Sequence, residues 1–179
     1  DAAQKMKENN LSGAKPHGQK ISSQLGKISE SLNTLQKQMN KQLQEQLNMD
    51  MTRTIQELLY ISDELDKLMK EVSNETNKAN IMLLAKRQEE LRITLKQSIE
   101  RVGEIGGKTF LLPPAISAIL IKSDVQMSDA GYQLSQAQGT MASRNQSEAL
   151  GGINAAAEML LRTMNSMCQS SSASGMQKL

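Results

Sequence analysis

Residues 21–39 read Ile-Ser-Ser-Gln-Leu-Gly-Lys-Ile-Ser-Glu-Ser-Leu-Asn-Thr-Leu-Gln-Lys-Gln-Met, with an apolar residue at alternating spacings of four and three. That heptad spacing places all apolar side chains on one stripe of a helix, and such a stripe is typical of close helix–helix packing. We therefore predict a long first helix over residues 12–48. Its apolar stripe consists of Ile21, Leu25, Ile28, Leu32, Leu35 and Met39.

Two further helices with apolar stripes follow. The spacing predicts a second helix over residues 51–73 and a third over residues 77–105. Thr54 and Glu57 have the form of a capping box, and Asp50 and Thr52 are alternative caps, so these residues predict a new helix start near position 51. Because these stripes are the most regular in the chain, we expect the tightest packing in the first three helices.

Glycine and proline separate the third helix from the rest of the chain. Gly103, Gly106 and Gly107 are expected to end that helix, and Pro113-Pro114 prevents an immediate restart. A fourth helix is predicted over residues 114–138, with Gly139 as its stop. Its predicted stripe consists of Ile116, Leu120, Ser123, Met127, Ala130 and Leu134. A fifth helix is predicted over residues 144–168, with Ser143 and Gln146 as its capping box. Its predicted packing residues are Leu150, Ile153, Ala157, Leu160, Met164 and Met167.

The predicted fold is thus all-α, an antiparallel helical bundle of about five helices with a long heptad-patterned N-terminal helix. The bundle would occupy residues 1–168, and the Ser-rich residues 169–179 would form a flexible tail. Composition agrees, since only 2% of the residues are aromatic and sheets are usually rich in aromatic residues.

The charge pattern disfavours a nucleic-acid-binding protein, and the single cysteine excludes a fold that is held by an internal disulfide. A net charge of +2 with mixed signs and no basic block disfavours a nucleic-acid surface, so we expect no nucleic-acid partner. Cys168 has no second cysteine to pair with, so the fold does not depend on an internal disulfide.

Catalytic and metal chemistry are also disfavoured. Residues 103–109, Gly-Glu-Ile-Gly-Gly-Lys-Thr, resemble a phosphate-binding loop, but Val102 stands where the motif needs its first glycine, and the segment closes a helix. The one histidine, His17, is not part of a Glu-x-x-His metal motif. Gln88 and Ser98 occupy stripe positions in the third helix, where a polar group that finds a partner fixes register. We expect no enzyme, no cofactor and no metal.

The candidate partner contacts lie after the third helix. Phe110, Leu111 and Leu112 form the most apolar loop, which either plugs the bundle end or is exposed for a partner. Met164 and Met167 belong to a group of methionines that fills core gaps or forms an adaptable binding surface. This part of the chain is the expected binding region.

Four segments carry a family resemblance: residues 10–20 (Asn-Leu-Ser-Gly-Ala-Lys-Pro-His-Gly-Gln-Lys), 57–69 (Glu-Leu-Leu-Tyr-Ile-Ser-Asp-Glu-Leu-Asp-Lys-Leu-Met), 85–91 (Ala-Lys-Arg-Gln-Glu-Glu-Leu) and 152–161 (Gly-Ile-Asn-Ala-Ala-Ala-Glu-Met-Leu-Leu). In this order they resemble the helical C-terminal region of large uncharacterised membrane-anchored envelope proteins of Bacteroidota. The resemblance implies anchoring at the bacterial inner membrane and a soluble part in the periplasm, and it assigns no catalytic residues.

The expected function is that of a structural or protein-interaction helical module. Its partners would be other proteins or a second copy, bound through helix faces, with membrane contact only through segments outside this fragment. The chain begins at Asp1 without Met, so we expect a piece of a longer protein. It contains no run of about 18 apolar residues, so a membrane span is expected only outside this piece. The alternative is a ligand-sensing or signalling four-helix-type bundle.

Overall fold

The computed structural model describes the backbone of residues 3–4 and 11–173, and the side chains of residues 3–4 and 18–167. Within that part of the chain the fold is all-α and contains four long helices. They are α1 (Leu11–Asn74), α2 (Lys78–Lys108), α3 (Pro114–Ser135) and α4 (Gly139–Ala173). The chain divides into two compact units, residues 1–46 and 47–179.

Helix α1 is continuous where the sequence predicts separate helices over 12–48 and 51–73, and that prediction is wrong. The supposed cap residues bond back into the helix. The Thr52 hydroxyl donates to the Asn48 carbonyl at 2.8 Å, and the Thr54 hydroxyl donates to the Asp50 carbonyl at 2.8 Å. Since such bonds are made within a helix, threonine here does not interrupt α1. The described part of the chain therefore contains four long helices instead of about five.

In the unit of residues 47–179, sequence-adjacent helices run antiparallel. Glu71, near the end of α1, pairs with Arg87 near the start of α2, at 2.5 Å. Asp50 in turn pairs with Lys108, the last residue of α2, at 3.1 Å. The Ser62 hydroxyl donates to Asn154 of α4 at 2.7 Å, so α4 closes the bundle against α1.

The core of this unit lies between all four helices. The α3 stripe is buried as predicted, and α4 contributes small side chains beside its predicted apolar ones. The fully buried α3 residues are Ile116, Leu120, Ser123, Met127, Ala130 and Leu134, and the buried α4 residues are Ala142, Gln146, Ala149, Ile153, Ala156, Ala157, Leu160 and Met167.

Polar side chains inside the core are paired across helices. Gln88 donates to the Met127 carbonyl of α3 at 3.2 Å and accepts from Gln146 Nε2 of α4 at 2.9 Å. Ser98 donates to Glu57, which also binds Arg101. Gln88 is thus a buried side chain bonded to both α3 and α4, in keeping with its predicted structural role.

Ion pairs also connect α2 to its neighbouring helices. Arg92 donates to Glu89 at 2.7 Å and also lies 3.5 Å from Asp124 of α3. The hydrogen bond from Arg92 lowers the pKa of Glu89, and the bond to Glu89 raises the pKa of Arg92. Likewise, the hydrogen bond to Glu71 raises the pKa of Arg87.

The helix ends differ from the predicted ones. Helix α2 passes through all three glycines and ends at Lys108 instead of 105. Helix α3 ends at Ser135 instead of 138. Ala137 ends it, because this residue has a positive φ of 55° and its N–H donates to the Leu134 carbonyl. Gly139, the predicted stop, is instead the first residue of α4.

Helix α4 begins five residues earlier than the predicted start at 144. Ser143 and Gln146 therefore lie inside α4 and do not form a capping box. The same helix continues to Ala173, through part of the predicted tail. Residues 174–179, the remainder of that tail, lie outside the described residues.

Candidate interaction surfaces

The α1 seam is the apolar stripe of α1 in the unit of residues 1–46. Its side chains are between 47% and 68% exposed, whereas the seams of α2 and α3 are buried or half-buried. This contradicts the expectation that the first three helices all pack tightly. The seam consists of Ile21, Leu25, Ile28, Leu32, Leu35, Met39 and Leu43.

Uncharged polar side chains flank the α1 seam on both sides through Gln38. One flank carries Ser22, Ser29 and Gln36, and the other carries Gln24, Ser31 and Gln38. The charged residues of this stretch fall on the opposite face of the helix, as 3.6-residue periodicity requires: Lys20, Lys27, Glu30, Lys37 and Lys41. The seam is therefore an apolar strip with neutral edges.

The predicted apolar loop between α2 and α3 divides into an outer and an inner part. Phe110 is 96% exposed and Leu111 is 48% exposed, while Leu112 is buried. Leu112 packs over Gly106, in the last turn of α2, and joins the core. Leu112 thus covers the end of the bundle, and Phe110 and Leu111 remain available for contact with another molecule.

The two methionines predicted as contacts lie near the end of α4. Met167 is buried in the core, and Met164 is half-buried, with its sulfur accepting a hydrogen bond from Thr52 at 3.4 Å. A groove of about 340 Å³ brings Leu111 and Met167 together, with Arg162, Thr163 and Ser166 completing its walls. The structure therefore joins two of the five predicted contact residues in one groove.

A second groove, of about 360 Å³, lies between α3 and α4. Its floor contains Ser123 and Gly152, where the two helices approach closely because Gly152 has no side chain. Lys122, Gln126 and Glu148 line its rim, and Gln126 donates to Glu148 at 2.6 Å. The periodicity of the sequence did not indicate this groove.

The glycine-rich segment of residues 103–109 is helical through Lys108. Its backbone N–H groups are directed along the helix, and the Lys108 ammonium donates to Asp50. The arrangement differs from a phosphate-binding loop, in which these groups converge on an anion.

No group of three or more acidic, histidine or cysteine side chains is placed to hold a metal ion among the described residues. The side chains of His17 and Cys168 lie outside that set. Within the same part of the chain, none of the helices combines the length and apolar character needed to cross a bilayer.

The chain matches no protein-family model, no curated protein sequence and no solved structure.

Proposed function

We propose that this chain is a non-enzymatic, protein-interaction helical module. One observation carries the proposal: all seven side chains of the α1 seam are exposed, although their spacing is that of a helix-packing stripe. A continuous exposed apolar strip of this kind usually marks a surface that binds another molecule. The unit of residues 47–179 instead buries an apolar core between its own four helices.

We further propose that the parent protein is anchored at the bacterial inner membrane, with this module in the periplasm. The support is the resemblance of residues 10–20, 57–69, 85–91 and 152–161 to envelope proteins. Protease added to intact spheroplasts should then cleave the module within the full-length protein. Cleavage only after lysis would contradict this placement.

Site-specific photo-crosslinking in the native host tests the interaction function. A photoreactive residue at Ser29, on the flank of the α1 seam, should give protein adducts, because the seam is covered by a partner helix. The matched position is Ser23, six residues away and directly opposite the seam on the outer face of the same helix. Adducts from neither position, or equally from both, would contradict an interaction through the seam.

A ligand-sensing bundle is the second candidate, and the groove between α3 and α4 favours it. Lys122 and Glu148 provide opposite charges at the rim of a groove that also contains the apolar side chains of Ile119 and Ala155, an arrangement that suits a small amino acid. Glu148 already accepts from Gln126 and lies 3.6 Å from Arg144, so a ligand would have to replace these bonds. A thermal-shift screen with amino acids and organic acids tests it, with Lys122→Ala as the variant that should abolish any shift.

A further inference from the structure

We propose that the α1 seam pairs with the same seam of a second copy, in antiparallel orientation. This inference rests on the proposed interaction function and names its partner. Four features favour a second copy as the partner: the uncovered helix, its uncharged flanks, the order of its apolar side chains and its exposed area.

A partner is needed first because this part of α1 has no buried side chain. Every residue from 18 to 43 is exposed or nearly so, and the stretch includes Gly18, Gly26 and several serines. Glycine and serine are weak helix formers, and most helices in proteins depend on burying an apolar face. Covering the seam with another helix would bury such a face and so stabilise a continuous helix in this stretch.

The flanks of the seam favour an identical partner. In paired helices the flank residues face each other, and like charges there repel. Here Ser29 and Ser31 lie at the middle of the two flanks, with Gln and Ser on either side, so two copies meet without any like-charge contact. The lysines that would repel a second copy lie on the outer face. A partner chosen by charge would find no charge to recognise along these edges.

The order of apolar residues selects the antiparallel arrangement. In heptad notation Leu25, Leu32 and Met39 occupy a positions and Ile21, Ile28 and Leu35 occupy d positions. Leucine at a with isoleucine at d disfavours a parallel two-stranded coil.

Antiparallel pairing about Glu30 instead places each a residue opposite a d residue. The layers are Ile21 with Met39 of the second copy, Leu25 with Leu35, and Ile28 with Leu32, each made twice. All six heptad positions are filled by apolar pairs, and Ser29 and Ser31 face their own counterparts at the centre.

The area is sufficient for a specific dimer. The six apolar side chains that form these layers on each copy, at about 60–120 Å² for each side chain, amount to roughly 1,100 Å² of apolar surface over the two copies. The serines and glutamines of the flanks add to this. Stable specific interfaces bury about 1,200–2,000 Å² in total.

Sedimentation equilibrium of the 179-residue chain provides the first test. The wild type should show a concentration-dependent mass approaching twice that of one chain. Leu32→Glu should raise the dissociation constant at least about 100-fold, because two carboxylates would enter the central layers. Asn33→Glu, the neighbouring change on the outer face, should leave it unchanged. Circular dichroism and a cooperative unfolding transition verify that residues 47–179 remain folded in both variants.

Single cysteines test the orientation in a Cys168→Ser background. Ser31→Cys should form a disulfide-linked dimer on mild oxidation, because residue 31 faces its own counterpart. Gln24→Cys, on the same flank, should not, since its counterpart lies about 12 residues away along the helix, roughly 18 Å. A dimer with no crosslink at position 31, or with equal crosslinking at position 24, would overturn the antiparallel arrangement.

A monomer at all concentrations would overturn the self-pairing. If that monomer still gives adducts with a different protein from position 29 in the host, the interaction function stands with another partner. If position 29 gives no adduct at all, both the self-pairing and the proposed function fail.

Discussion

Gly151 and Gly152 show how differently two neighbouring residues of the same type can act. A Cβ on Gly151 would meet nothing within 4 Å, whereas a Cβ on Gly152 would overlap the Ser123 hydroxyl. That hydroxyl donates to the Ile119 carbonyl at 3.1 Å inside α3, so its position is held. The missing side chain at 152 therefore sets how closely α4 approaches α3.

Gly151→Ala should raise the free energy of unfolding by about 1 kcal/mol, the difference in helix propensity. Gly152→Ala should lower it by about 1–3 kcal/mol, because the new methyl group overpacks the contact with α3. Urea denaturation measures both. Adding Ser123→Ala to Gly152→Ala should recover most of the loss, and equal effects of the two single alanines would refute the close contact.

The apolar loop offers a second test at this scale. Phe110→Ala should change the free energy of unfolding by less than about 0.5 kcal/mol, since Phe110 is almost fully exposed. Leu112→Ala should cost about 2–5 kcal/mol, because Leu112 is buried over the end of α2. Chemical denaturation of the two variants under the same conditions separates them, and a large loss from Phe110→Ala would show that the loop packs differently.

At the scale of elements, Glu75 holds the turn that joins α1 to α2. Its carboxylate accepts from the backbone N–H groups of Thr76 and Asn77 and from the Asn80 side chain at 2.8–2.9 Å. Asn77 in turn caps α2 by accepting from the Ala79 N–H. The bond from the Asn77 N–H, followed by that from Asn80, lowers the pKa of Glu75 below its ordinary value of 4.5.

A carboxyl whose pKa is lower in the folded state adds stability above its unfolded pKa, and that stability is lost as the pH falls through the folded value. We therefore expect Glu75→Gln to be less stable than the wild type at pH 7. The difference should shrink as the pH is lowered below about 4.5. Unfolding midpoints across this pH range measure it, and a difference that stays constant with pH would contradict the role of the carboxylate.

Helical periodicity predicts the buried face of α3 correctly, because residues spaced three and four apart lie on the same side of a helix. Every residue of the predicted stripe from Ile116 to Leu134 is buried. The division of α1 was mispredicted because Thr52 and Thr54 serve equally as caps or as side chains bonded back to the preceding turn. Periodicity also identifies the α1 seam as apolar, but it does not show which helix covers it. The exposure of the seam therefore emerges only from the structure.

The candidate contacts illustrate the same limit. Apolar character alone singled out Phe110, Leu111, Leu112, Met164 and Met167 together, but burial separates Leu112 and Met167 from Phe110 and Leu111. Which apolar residue points inward depends on the path of the loop over Gly106, and spacing does not specify that path.

At the scale of the whole molecule, the Gln88–Gln146 pair links α2 and α4 inside the core. The Gln146 carbonyl oxygen finds no further hydrogen-bond partner among the described residues, so the pair is only partly satisfied. Buried polar pairs of this kind often favour one register over others more than they add stability.

Gln88→Leu alone should cost about 1–3 kcal/mol, because it leaves the buried Gln146 amide without its acceptor. Gln88→Leu with Gln146→Leu should cost less than the sum of the single changes. Denaturation of the four proteins in a double-mutant cycle measures this coupling. Additive losses would indicate that the two side chains act independently.

The proposed self-association requires the α1 seam to be covered by a second copy. Amide hydrogen exchange of residues 21–43 tests this most directly, since helical amides in an uncovered, marginal helix exchange rapidly. We expect protection that increases with protein concentration, is lost in Leu32→Glu, and is retained in Asn33→Glu. Equally fast exchange of residues 21–43 in all three proteins at every concentration would contradict the account.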